Sequence, residues 1–315
     1  MPTYIAKRLL QLVPTLILVS IITFALVRLV PGDPIDVLYG TEGADKQTRA
    51  AMEKTLGLDR PVPIQYVRWA GRILTGDLGF SYRARVPVAT LIGQRLPNTI
   101  ILVVAALGIV VFFAIPLGVL AALRRNSLVD FGAMAAALVA LSVPPFASGI
   151  ALVLIFGLLL GWFPTMGAPP PDSGLQGLLR HLTLPAITLA MAVLGVTMRL
   201  TRSTVLEEMG RDYVRTARAK GLAERWVVFR HLLRNALMPV VTLIGLQAAY
   251  LVGGAVIIEV VFAWPGIGSL VVDAILSRDY PIVQSVILLV AAMVMVVSIV
   301  VDLTYPILDP RVRLG

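Results

Sequence analysis

The chain contains no cysteine, which excludes disulfides, thiolate nucleophiles, iron–sulfur ligation and cysteine-bound zinc. Its two histidines, His181 and His231, are too far apart in sequence to form a local metal-binding box. No glycine is followed by lysine, so a phosphate-cradling G-x-x-x-x-G-K-[ST] loop is absent, as are H-E-x-x-H and G-x-S-x-G. The chain itself therefore offers no motif for ATP hydrolysis, zinc hydrolysis or serine hydrolysis, and it reads as a non-enzyme. Charge is scarce as well: 14% of residues are Asp, Glu, Lys or Arg, against about 25% in soluble domains. What fills the 315 residues is apolar, at 58% with a mean hydropathy of +0.88, which excludes a disordered chain.

The apolar residues gather in six runs almost free of charge, at 9–27, 96–123, 131–163, 181–198, 235–258 and 280–301. A membrane-crossing helix needs about 20 such residues, so the sequence predicts an all-α membrane protein with six transmembrane helices. Pro144 and Pro145 interrupt the third run; the part before them covers only about 20 Å, so 131–163 is expected to be one kinked span. Pro116 predicts a second kink. The first run follows Lys7 and Arg8 like a secretory leader, but it is long, and Leu29-Val30-Pro31-Gly32 stands where small cleavage-site residues would be needed. It is expected to be a retained helix.

Basic residues set the orientation. With the N-terminus inside, the cytoplasmic segments hold Lys7, Arg8, Arg124, Arg125, nine basic residues from Arg199 to Arg234, Arg311 and Arg313, while the two short outer loops hold Arg180 and Arg278. The positive-inside rule then predicts both termini in the cytoplasm. The formal charge of +9 is explained by membrane topology, leaving no call for nucleic acid. The cores of the six runs contain no Asp, Glu, Lys or Arg, which speaks against a proton relay; sodium coupling through backbone carbonyls is the surviving ATP-independent alternative.

Two soluble stretches stand out. Between the first two runs, 31–95 is expected to lie outside the membrane, with amphipathic helices over 45–56 and 63–75, the latter led by Pro61 and Pro63 and ended by Gly76. It would cap the membrane face or dock an external partner. Between the fourth and fifth runs, 211–220 predicts a helix, Gly221 a left-handed stop, and 223–237 a second helix.

The residues of this loop resemble the EAA coupling region of ABC-importer permeases, in the dipeptide/oligopeptide/nickel branch: Asp212-Tyr213-Val214-Arg215-Thr216-Ala217-Arg218-Ala219-Lys220-Gly221-Leu222, followed by Arg230-His231-Leu232-Leu233-Arg234-Asn235-Ala236-Leu237 and Pro239. The likeness extends along the chain through Pro31-Gly32-Asp33-Pro34, Gly76-Asp77-Leu78-Gly79 with Ser81, Arg95-Leu96-Pro97 with Thr99, Leu184-Pro185 with Thr188, Phe262 with Pro265-Gly266-Ile267-Gly268, Arg278-Asp279-Tyr280-Pro281 and Asp309-Pro310-Arg311. These look like the branch's B-type subunit. Arg215, Thr216 and Ala217 stand where the general motif has Glu-Ala-Ala, so no role of that glutamate carries over.

The resemblance implies a type I ABC importer permease fold in the bacterial inner membrane. It implies a first helix at 9–29 with an extracytoplasmic segment at 31–95, a transmembrane domain at 96–305 (helices near 96–123, 131–163, 182–200, 236–258 and 281–303, coupling loop 202–235) and a tail at 306–315. The implied partners are a second homologous permease, two cytoplasmic ATPases that hold ATP and Mg, an extracytoplasmic solute-binding protein and membrane lipid. The cargo would be a dipeptide or oligopeptide, with nickel, glutathione or another small solute as alternatives, and this chain would hold no cofactor or metal. Arg215, Thr216, Ala217, Arg218, Ala219, Lys220, Gly221 and Leu222 would couple to the ATPase, with Ala217 and Gly221 allowing close packing and Arg218 and Lys220 meeting acidic groups. Ser142, Gln247, Tyr250, Glu259 and Phe262 are the candidates for pathway or gate, and the two histidines read as packing or capping residues.

Overall fold

The computed structural model describes residues 2–29, 59–81 and 83–308. The helix expected over 45–56 and the motifs at 31–34 and 309–311 lie outside the described residues. Almost all regular structure is helical. Helix α1 spans Pro2–Leu29 and α2 Val62–Leu74. Two short antiparallel strands, β1 (Phe80–Ser81) and β2 (Val86–Pro87), pair Phe80 with Pro87 and Ser81 with Val86. Then come α3 (Val88–Leu123), α4 (Leu128–Ser142), α5 (Pro145–Leu152, extended by a π-helical segment Val153–Leu159) and α6 (Gly174–Met209). After α7 (Asp212–Ala219), a helical run consists of Glu224–Trp226, a π segment Val227–Leu232 and Leu233–Ala236. Helices α8 (Met238–Val261), α9 (Ile267–Leu276) and α10 (Tyr280–Leu308) complete the described chain.

Four described helices are long and apolar enough to cross a membrane: α3, α6, α8 and the 280–301 part of α10. The α4–α5 pair adds a fifth if it is counted as one span. Helices α3 and α6 have 36 residues each, a length of about 54 Å, so they outreach a hydrocarbon core of about 30 Å. They begin at Val88 and Gly174, earlier than their apolar runs, and α6 continues past its run to Met209, because Arg95 and Arg180 on one side and Arg199 and Arg202 on the other end an apolar pattern without ending a helix; arginine is a good helix former.

The expected kink at Pro144 and Pro145 is a break of 109°. Pro145 excludes the α region for its predecessor, and Pro144 accordingly sits at φ −56°, ψ 139°. At Pro116 the helix stays continuous. A π segment, Val110–Ala114, precedes the proline and opens the backbone where its ring would meet the carbonyl four residues back. Helix α8 also runs past the end of its apolar run to include Glu259, whose side chain is fully buried. The fifth apolar run itself holds no charge, but the helix is longer than the run: Glu259 ended the hydropathy run without ending the helix.

The chain divides into two compact units. One comprises residues 1–98 with 265–295. Its core joins Val88 and Ile92 to Ile267, Leu270 and Ala274 of α9 and to Ile282, Val283 and Val286 of α10. Helix α2 lies along α1, where Tyr66 and Trp69 pack on Phe24 with centroids 5.3 and 5.4 Å away. Two motifs far apart in sequence meet in this unit: Ser81 Oγ donates to Asp279 Oδ2 at 2.5 Å, and Ser285 Oγ donates to the Leu78 carbonyl at 2.9 Å.

The other unit comprises residues 99–264 with 296–315. Helix α6 is its centre: 61% of its most apolar window is buried, against 22% for α8. Close helix approach depends on missing side chains. A Cβ on Gly118 of α3 would come within 2.7 Å of the Met198 carbonyl oxygen, and one on Gly195 of α6 within 2.6 Å of the Ala137 oxygen in α4.

Candidate functional site

The charged loop after α6 folds as a small, self-supported projection. Gly210 ends α6, and the elbow is held by Arg211, which reaches Glu207 at 2.7 Å, and by Tyr213, whose hydroxyl donates to Glu208. Burial, and then the Glu208 carboxylate, push the Tyr213 phenol above its ordinary value. Helix α7 opens with Asp212 and closes with Arg218, charges that suit the positive and negative ends of the helix dipole.

Its two faces differ completely. Val214 and Ala217, three residues apart, are buried against Val227, while Arg215, Thr216, Arg218, Ala219 and Lys220 are exposed. Ala217, expected to give a partner room, is thus used inside the chain, where a small residue lets α7 lie close to the π segment.

The turn after α7 is closed by backbone bonds. Gly221 N–H donates to the Arg218 carbonyl at 2.9 Å and Leu222 N–H to the Ala217 carbonyl at 3.4 Å, the pair of bonds that defines a Schellman cap. The cap requires a left-handed residue, and Gly221 has φ +76°. No heavy atom lies within 4 Å of where its Cβ would be, so glycine answers a backbone demand here and leaves open space in front of it. Across the turn, Arg218 Nη2 and Nε donate to the Glu224 carboxylate at 2.6 and 3.1 Å. The Arg218 guanidinium holds the Glu224 carboxyl below its ordinary value. Arg218, expected to meet an acidic group on a partner, is therefore engaged within its own chain.

The projection stands on the spanning helices. Leu232 and Ala236 form a buried cluster with Ala122 of α3 and Val205 of α6, so the mount of α7 rests on the ends of two long helices. Leu222, Trp226 and Phe229 lie exposed beside it, Phe229 at 73%. Sequence reasoning passed over Trp226 and Phe229; two aromatics within a strongly basic loop were the available signal.

The pathway candidates are not gathered on one surface. Ser142 is exposed at the end of α4, Gln247 is half-buried, and Tyr250 is exposed. Glu259 and Phe262 lie in the interior. Thr99 Oγ1 donates to Glu259 Oε1 at 2.5 Å, and the Phe262 carbonyl accepts from Gly167 N–H at 2.8 Å. His181 Nδ1 lies 2.9 Å from the Gly177 carbonyl oxygen, a local contact along α6. Among the described residues no group of His, Asp or Glu side chains could hold a metal ion.

Comparison with known proteins shows the family. Residues 114–314 match the family model of the binding-protein-dependent transport system inner membrane component, and residues 1–103 match that of its N-terminal region. The di/tripeptide transport system permease protein DppB of Pseudomonas aeruginosa is 44% identical, with 99% of each chain covered. The glutathione transport system permease protein GsiC of Salmonella paratyphi A is 42% identical, again with 99% of each covered. Among solved structures, an amino acid ABC transporter crystallised with histidines superposes with a TM-score of 0.51 at 15% identity, covering 69% of this chain and 94% of that one, which shows a shared fold. The chain belongs to the binding-protein-dependent transport system inner membrane components and is a B-type permease of the peptide/oligopeptide ABC importer family.

Proposed function

We propose that this permease carries dipeptides or oligopeptides inward through a pathway formed with a second, homologous permease, using six spans: α1, α3, the α4–α5 pair, α6, α8 and α10. Both termini face the cytoplasm, as the basic residues of the short loops favour. Residues 31–95 lie outside, where a solute-binding protein delivers cargo. Two cytoplasmic ATPases hold ATP and Mg and act on α7 and its glycine turn.

The observation that carries this reading is the two-faced α7. Its inner face is anchored by Val214 and Ala217, and its outer face presents Arg215, Thr216, Ala219 and Lys220. A short, rigid helix mounted on the ends of α3 and α6 transmits a push from a partner as rigid-body motion of those helices, switching between two packings. Arg215 and Lys220 then meet acidic partner groups, while Leu222, Trp226 and Phe229 supply apolar contact. Peptide is the first choice of cargo because of the 44% identity to a di/tripeptide permease; glutathione is the second, because of the 42% identity to a glutathione permease.

The test is purification in mild detergent with identification of co-purifying chains, followed by uptake into proteoliposomes. ATP-dependent uptake of labelled dipeptide that excess unlabelled dipeptide abolishes and glutathione does not is the expected result. A chain that purifies alone and moves solute without ATP would refute the proposal.

A further inference from the structure

Arg202 of α6 and Asp130 of α4 form a forked ion pair, with Nε 2.5 Å from Oδ1 and Nη2 2.7 Å from Oδ2. The Asp130 side chain is 3% exposed and that of Arg202 25%. The same carboxylate accepts the backbone N–H of Asn126 at 3.0 Å. Asn126 has φ +62° in the tight turn between α3 and α4. Ser127 caps α4 by accepting the Asp130 N–H at 3.4 Å. One aspartate therefore ties together the α3–α4 turn, the first turn of α4 and the shaft of α6.

The position matters because of what lies next to it on α6. Thr201, together with Met198, is where Gly118 of α3 packs, and Val205, less than one turn beyond Arg202, belongs to the cluster with Ala122, Leu232 and Ala236 that supports α7. A fork with two bonds fixes direction as well as distance, so α6 cannot turn or slide against α4 at this level without breaking both bonds. An apolar pair of equal volume would fill the space but permit such slip.

We propose that Asp130 and Arg202 are positioning residues for transport: their clamp makes α3, α4 and α6 respond as one body when α7 is displaced, so that ATP hydrolysis is converted into movement of the spans. This rests on the reading of α7 as the element that receives the ATPase stroke.

The experiment uses the complete importer, with its partner permease, ATPases and binding protein, in proteoliposomes, and reads ATP hydrolysed and labelled peptide accumulated in the same vesicles. The variants are Asp130→Asn, Arg202→Gln, Arg202→Lys and the reversed pair Asp130→Arg with Arg202→Asp. Asp130→Asn and Arg202→Gln are expected to keep ATP hydrolysis within about twofold while lowering peptide moved per ATP about tenfold, inside the range usual for coupling between sites. The reversed pair recovers most of that ratio. Arg202→Lys keeps the charge but not the fork and shows the same direction of loss; it decides the matter if the neutral variants do not assemble. An unchanged ratio in assembled Asp130→Asn, Arg202→Gln or Arg202→Lys complexes, or hydrolysis and uptake falling in proportion, would overturn the clamp. Absence of ATP-driven uptake in the unsubstituted complex would overturn the reading of α7 itself, and with it the clamp.

Discussion

Ser81 and Asp279 are 198 positions apart in sequence, and their side chains share a buried hydrogen bond of 2.5 Å. It joins the strand β1 to the turn before α10. Ser81 also accepts the N–H of Ala84 at 2.9 Å, so the hydroxyl both donates and accepts. Removing the donor leaves a buried carboxylate short of a partner, which costs about 1–3 kcal/mol. Ser81→Ala is expected to lower the thermal unfolding midpoint of the purified complex. Asp279→Asn in the Ser81→Ala background should add little, and a strictly additive double variant would contradict the shared bond.

Glu259 gives a second expectation. Its side chain is fully buried and accepts from Thr99, itself 3% exposed. Thr99→Val removes that donor and should destabilise by about 1–3 kcal/mol. Glu259→Gln keeps an acceptor oxygen in place and is expected to assemble, whereas Glu259→Lys puts a cation at a fully buried position and is expected not to. Expression and assembly, read by size-exclusion chromatography of the complex, separate the three.

At Gly221 the demand is conformational. A residue with a Cβ at φ +76° costs about 1–2 kcal/mol, and least for Asn. Gly221→Asp is therefore expected to loosen the α7 cap and reduce ATP-driven transport while the spanning helices still assemble, and Gly221→Asn to retain more transport. A Gly221→Asp permease that assembles and transports normally would show that the turn is not needed for coupling.

The Arg218–Glu224 staple gives a pH dependence. The hydrogen bond from Arg218 is the main cause of the lowered Glu224 pKa. The staple's contribution is therefore fully present above the ordinary carboxylate value of 4.5 and is lost as pH falls below it, through the depressed value. Both side chains are partly exposed, at 37% and 57%, so the pair is worth about 1 kcal/mol at most. Amide exchange over 212–226, corrected for its intrinsic pH dependence, should show steady protection from neutral pH down to 4.5 and a modest decline below. Glu224→Gln should remove the pH response attributable to the pair.

Much of the proposed coupling site was legible from local sequence. The helix before Gly221, its left-handed stop and the helix behind Pro61 follow from propensity and cap chemistry, which act over a few residues. The second helix of the loop was expected over 223–237, and the chain is helical over 224–236, but its middle, Val227–Leu232, is a π segment. That segment buries Val227 beneath α7 and Leu232 against Val205, a demand of packing that local propensity does not express. Asp130 and Glu259 carried no signal beyond their charge at the borders of apolar runs, because their partners Arg202 and Thr99 lie 72 and 160 positions away.

Composition and the spacing of charge determined that this chain is helical and made for a membrane, since burying a backbone in lipid permits few alternatives and apolar runs are read residue by residue. The sequence also set where helices stop, through Pro144-Pro145 and Gly221. The 109° angle of the break, the inward turn of Ala217 and the meetings of Ser81 with Asp279 and Asp130 with Arg202 were decided by tertiary structure alone. These depend on which helix faces pack together, and the free energy of that packing is a sum over residues distant in the chain.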